Sequence, residues 1–64
     1  MRNNLITFRK QQGYTQDEFA NILNVSSSYY QKIENGTRNP SYNFIKNFKE
    51  AFKSADVDMI FFNQ

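Results

Sequence analysis

The 64-residue chain contains no cysteine and no histidine. Without cysteine there are no disulfide staples and no thiolate metal sites, and without histidine the commonest general base and metal ligand is missing. Both absences argue against an enzyme and against a bound metal or cofactor. Turn-forming residues are scarce too, with two glycines and one proline. A β-sandwich would need turn signals every eight to twelve residues or so, whereas short helices joined by short loops need few, so the expected class is all-α. Long apolar runs are also missing: no stretch approaches the ~18 residues of a membrane span, and Met1 to Arg9 lacks the apolar core of a signal peptide. Neither an internal repeat nor a linker-like run divides the chain. It reads as one cytoplasmic domain, 1–64, with no membrane partner and no evident small-molecule ligand.

What is abundant is aromatic rings, seven Phe and four Tyr, within a hydrophobic fraction of 39%. A chain this short buries only ~60% of the surface it exposes when unfolded, so those rings must supply most of its one small core. The formal charge is +2. Residues 1–53 hold all eight basic groups against four acidic ones, Asp17, Glu18, Glu34 and Glu50, a local balance of +4, and Asp56 and Asp58 make the end of the chain acidic. Such a body suits a polyanion.

Along the chain, Leu5, Ile6 and Phe8 predict a first helix from about Asn3 to Gln11, with Lys10 in its last turn and Gly13 beyond its end. Thr15 and Glu18 have the spacing of a capping box. Tyr14 and Phe19 can form a hydrophobic staple across it, and Phe19, Ile22 and Leu23 share a face of the second helix. Asn24 interrupts that pattern, and Asn is the non-glycine residue that best tolerates a positive φ, so a sharp turn fits there. Ser26 is the next N-cap. Tyr30 and Ile33 then mark a third helix ending near Asn35-Gly36. After Pro40-Ser41, the apolar residues Phe44, Ile45, Phe48 and Phe52 predict a fourth helix, with Lys46, Lys49 and Lys53 on its solvated face. A fifth, short helix starting near Asp56 would carry Met59, Ile60 and Phe61 back to the core.

Two short helices joined by a tight turn over about 15–35 describe a helix-turn-helix. Phe19, Leu23, Val25, Tyr30 and Ile33 stand where the pair must press together. Ala20 stands where a larger side chain would force the helices apart at ~1–3 kcal/mol. From Leu5 to about Phe62 the chain resembles the Xre or Cro/C1-type regulators with the lambda-repressor-like fold. The resemblance is carried by Phe8-Arg9, Gly13-Tyr14-Thr15-Gln16, Phe19-Ala20, Leu23-Asn24-Val25-Ser26, Ile33-Glu34-Asn35-Gly36, Arg38 and Pro40-Ser41. Asn24 departs from the glycine common in that family.

The resemblance implies a compact bundle of about five short helices that binds double-stranded DNA as a transcriptional regulator and repressor, with the third helix in the major groove. On it, Ser27, Ser28, Tyr29 and Lys32 face bases, while Gln16, Asn35, Thr37 and Arg38 face phosphates. Arg9 and Glu34 join the first helix to the third, an ion pair whose halving would cost ~3–5 kcal/mol if deeply buried. Ala20 and Asn24 are architectural. Serine reads bases weakly, so specificity would fall to Lys32, Tyr29 and DNA shape. Two alternatives stand beside these roles: Gln16 is also an ordinary exposed first-turn residue, and Asn35-Gly36 ends a helix equally well without DNA. One recognition helix per monomer calls for a homodimer on an inverted repeat. The spare apolar surface lies in the tail, 54–64, where Ile60, Phe61 and Phe62 are candidates for self-association. A different class, a protein-binding module such as an antitoxin or anti-regulator, is compatible with Ser-Ser-Tyr-Tyr, since aromatic surface suits protein contact.

Overall fold

A hydroxyl side chain ahead of an apolar periodicity gives the first free N–H groups of a helix an acceptor, and three of the four α-helices start in this way. In a computed structural model that describes residues 2–62, α1 spans Asn3–Gln11, α2 Gln16–Ile22, α3 Ser27–Glu34 and α4 Tyr42–Ala51. Positions 63 and 64 of the expected tail, like position 1, lie outside the described residues. Thr15 accepts the Glu18 N–H at 3.2 Å while Glu18 accepts the Thr15 N–H at 2.9 Å, completing the capping box. Ser26 and Ser41 accept the Tyr29 and Phe44 amides, each at 3.1 Å. The staple forms as well, with the Tyr14 and Phe19 ring centroids 6.0 Å apart.

Between α2 and α3 the backbone turns at Asn24, whose φ of 60° lies in the left-handed region. Ala20 is 1% exposed, and its carbonyl accepts the Val25 N–H at 3.0 Å. That bond folds the turn back onto α2, where the small Ala20 side chain is buried in the core. No strand occurs among the described residues, and the Cα radius of gyration of 10.3 Å is close to the ~10.7 Å expected for 64 folded residues.

Aromatic rings fill the interior. Phe19 sits at the centre, edge-on to Tyr30 at 5.4 Å and stacked on Phe52 at 5.3 Å, with Phe8 and Phe48 close by. Phe44 and Phe48 are buried as the apolar spacing of α4 requires. Phe52 is only half-buried, because α4 stops at Ala51 and the chain turns away there. Lys49, expected on a purely solvated face, donates from Nζ to the Ala55 carbonyl at 2.9 Å and so braces that turn.

The last element differs from expectation in winding. Asp56 does start it, its carboxylate accepting the Met59 N–H at 3.1 Å, but the segment Asp58–Phe62 is a π-helical turn rather than an α-helix. Ile60 and Phe61 both point inward, 6% and 3% exposed, with the Phe61 ring edge-on to Phe44 at 5.9 Å and Phe48 at 5.0 Å. Both thus return to the core as expected, whereas Met59, expected there with them, stays exposed. A core of so few aliphatic residues uses both side chains for itself, leaving Phe62 at 67% and Met59 at 54% exposure as the apolar surface of the tail.

Candidate nucleic-acid interface

The two faces of α3 are sharply different. Tyr30, Ile33 and Glu34 are buried, whereas Ser28 and Lys32 are exposed and Ser27 and Tyr29 are half-buried. Asn35, Thr37 and Arg38 continue the exposed face into the loop after α3. Of the residues expected to face bases or phosphates, all but Gln16 thus lie on one helix and the loop that follows it.

What holds that helix is a buried polar cluster centred on Glu34. Arg9 on α1 donates from Nε to Glu34 Oε2 at 2.9 Å and from a terminal nitrogen to Oε1 at 3.3 Å, a two-pronged ion pair as expected. Two further donors complete it. The Tyr30 hydroxyl donates to Oε2 at 2.6 Å, and Gln16 at the start of α2 donates from Nε2 to Oε1 at 2.9 Å. Arg9 also donates to the Tyr14 carbonyl at 2.8 Å. One carboxylate therefore ties α1, α2 and α3 together. No buried side-chain nitrogen or oxygen among the described residues lacks a partner.

The electrostatics follow from this geometry. Burial pushes the Glu34 carboxyl up, but the hydrogen bonds from Arg9, Tyr30 and Gln16, with the charge of Arg9, outweigh it and hold Glu34 below its ordinary value. Arg9 is raised, first by its hydrogen bond to Glu34. Tyr30 is driven well above its ordinary value by burial and by the carboxylate it faces.

Gln16 is consequently neither freely exposed nor turned wholly outward, since one amide hydrogen is committed to Glu34. The Asn35 Oδ1 accepts the Thr37 N–H at 2.9 Å, so its oxygen serves the loop itself. In the Ser-Ser-Tyr-Tyr run Tyr30 is buried, and Tyr29, half-buried, leans on Phe44 with centroids 5.9 Å apart.

Spacing arguments missed Arg2 altogether. Its Nε donates to the Ile33 carbonyl at 3.0 Å, its backbone N–H to the Glu34 carbonyl at 2.9 Å, and a terminal nitrogen to Asn39 Oδ1 at 2.9 Å. Arg2 so caps the C-terminal end of α3 from outside and clamps the following loop to it. The only sequence signal was a cation at the chain start, which has no periodicity to betray it.

Residues 5–55 match the family model described as helix-turn-helix. The chain belongs to the helix-turn-helix family. It is similar to two proteins of Bacillus subtilis (strain 168). With the uncharacterized HTH-type transcriptional regulator YqaF it shares 46% identity over 41 residues, 64% of this chain and 54% of that protein. With the uncharacterized HTH-type transcriptional regulator YazB it shares 44% identity over 50 residues, 77% of this chain and 72% of that protein. This helix-turn-helix chain thus aligns with about half the length of YqaF. No solved structure gives a significant match. α2 and α3 meet at the Asn24 turn, and the Arg9–Glu34 pair joins α1 to α3. No helix among the described residues is long and apolar enough to cross a membrane, and no cluster of metal-ligating side chains occurs among them.

Proposed function

We propose that this chain is a sequence-specific double-stranded DNA-binding transcriptional regulator, acting as a repressor in the cytoplasm, with α3 lying in the major groove. The observation that carries the reading is the division of α3: one side is fastened by Tyr30, Ile33 and Glu34, and the other presents Ser28 and Lys32 to solvent beside Arg38. A rigid helix with a polar, cationic outer face is what groove reading requires. The naming of YqaF and YazB as transcriptional regulators supports the same assignment.

In this reading Ser27, Ser28 and Lys32 meet base edges, with Tyr29 beside them. Arg38, Thr37, Asn35 and the second amide hydrogen of Gln16 meet phosphates. Two copies bind an inverted repeat with half-sites ~34 Å apart, and Phe62, with Met59, supplies the apolar surface by which they associate. Selecting bound duplex from a random pool is the direct test. A symmetric consensus is the expected result, with affinity falling steeply as salt rises, because each neutralised phosphate contributes about 0.9 to the slope of log K against log salt. Lys32→Ala and Arg38→Ala should each weaken binding. Binding indifferent to salt and to both substitutions would refute the assignment.

A further inference from the structure

Tyr29 is tied to both the core and the loop after α3. Its ring rests edge-on against Phe44, itself 1% exposed, so its position is inherited from the core. Its hydroxyl accepts the Ser41 N–H at 3.3 Å, joining α3 to the start of α4. Over its outer side lies the Arg38 guanidinium, whose carbon is 5.4 Å from the ring centroid. The Arg38 backbone is fixed by the same helix, its N–H donating to the Lys32 carbonyl at 3.1 Å. Tyr29, Arg38, Ser41 and Phe44, together with Ser26, Asn39 and Asn43, line an open cleft of about 630 Å³.

We propose that Tyr29 is a positioning residue for DNA-backbone binding, its ring holding the Arg38 guanidinium in a fixed plane against the recognition helix so that it meets a phosphate without first being ordered. The proposal rests on the DNA reading above and deepens it. An arginine on an exposed loop would otherwise lose rotamer freedom on binding, and a planar cation stacked on a ring keeps its outward N–H donors available to a phosphate. Lysine cannot take the same part, since its ammonium is a point charge on a flexible stem.

The test is a double-mutant cycle on the full chain, read by fluorescence anisotropy with a labelled duplex of about 20 bp retained by this protein from a random pool, from ~50 to ~200 mM KCl. Tyr29→Leu, which keeps an apolar contact with Phe44, is expected to weaken binding about two- to fivefold. In an Arg38→Ala background the same change should have no further effect. Tyr29→Phe, which keeps the ring, should restore affinity to within about twofold. A residue that merely packs would lose as much in either background, so losses that multiply independently overturn the proposal. Arg38→Lys, at an exposed site where folding is not at stake, gives a second arm: the salt slope should persist because the charge does, while affinity falls. Equal affinity of the lysine and arginine forms would also overturn it. A protein that retains no duplex from the pool removes the DNA reading and this role together, whereas duplex retained without coupling removes the role alone.

Discussion

Replacing Glu34 by alanine removes the acceptor shared by three side chains, and its cost can be worked from the contacts. Arg9 loses both hydrogen bonds of its ion pair, and the Tyr30 hydroxyl and Gln16 amide each lose one. Arg9 and Glu34 are 10% and 5% exposed at their side chains, so water cannot readily replace the missing carboxylate. Breaking a buried pair on one side costs about 3–5 kcal/mol. A folded chain of this length has roughly 3–10 kcal/mol in total. Glu34→Ala should therefore lower the melting temperature by about 12–40 °C, at ~4–8 °C per kcal/mol for a small domain, or leave the chain unfolded. Thermal and urea denaturation followed by circular dichroism measures this directly. Where the alanine variant does not fold, Glu34→Gln provides a milder comparison, since its amide oxygen can still accept from Tyr30 or Gln16. The sharper arm is the triple replacement Arg9→Met, Tyr30→Phe, Glu34→Leu, which removes the buried donors with their acceptor and should recover most of the loss, as exchanging a whole ion pair for apolar groups often does. A loss below about 1 kcal/mol for Glu34→Ala, the range of an exposed pair, would refute the view that this carboxylate holds the three helices together.

The same cluster sets a pH dependence. Because Glu34 is held below its ordinary value, its contribution is complete above that value and should be lost as pH falls beneath it; because Tyr30 is raised, stability should also decline as pH climbs past the ordinary tyrosine value near 10. Denaturation across pH checks both limbs, and Tyr30→Phe should abolish the alkaline one. At the turn, Asn24→Gly should be neutral or slightly stabilising, while Asn24→Ile should cost about 1–2 kcal/mol because a β-branched residue resists a φ of 60°; equal melting temperatures would remove the conformational argument. In the tail, Phe62→Ser should weaken self-association in sedimentation equilibrium without changing stability. Phe61→Ser should lower stability by several kcal/mol, as buried aromatic truncations do at about 3–5 kcal/mol.

How much could be read without coordinates depended on the range of the interaction. Features set within one turn of chain were legible: the Thr15 and Glu18 box, the Ser26 cap and the left-handed Asn24 each follow from local chemistry, and each occurs. The Arg9–Glu34 pair, 25 residues apart, was visible only through family resemblance, since no spacing rule links a cation on one helix to an acid on another. Its two further partners escaped for the same reason. Tyr30 satisfied an apolar periodicity and so read as core filling, which hid the donor at its tip, and Gln16 read as a phosphate ligand or an ordinary surface residue. At the tail, the apolar run from Met59 to Phe62 was recognised as spare surface, but which of its rings the core would absorb depends on the space left between α1 and α4. That is a tertiary quantity.

Tyr29 and Tyr30 show how one segment can serve fold and site at once. Successive residues on a helix point ~100° apart, so the pair must face different neighbours. Tyr30 turns fully inward and spends its hydroxyl on Glu34, which fixes α3 against α1 and α2. Tyr29, at the margin, leans on the core through Phe44 and meets Arg38 on its other side. The inner ring thus sets where the helix lies, and the outer ring sets where the loop cation lies relative to it. Two substitutions separate the two functions: Tyr30→Phe should cost stability through the lost hydrogen bond to a carboxylate oxygen that then keeps only Arg9, while leaving the salt slope of DNA binding intact, whereas Tyr29→Leu should reduce affinity at a much smaller cost in melting temperature. If both substitutions moved stability and binding in parallel, α3 and its loop would be a single mechanical unit, and the division of labour between the two rings would have to be abandoned.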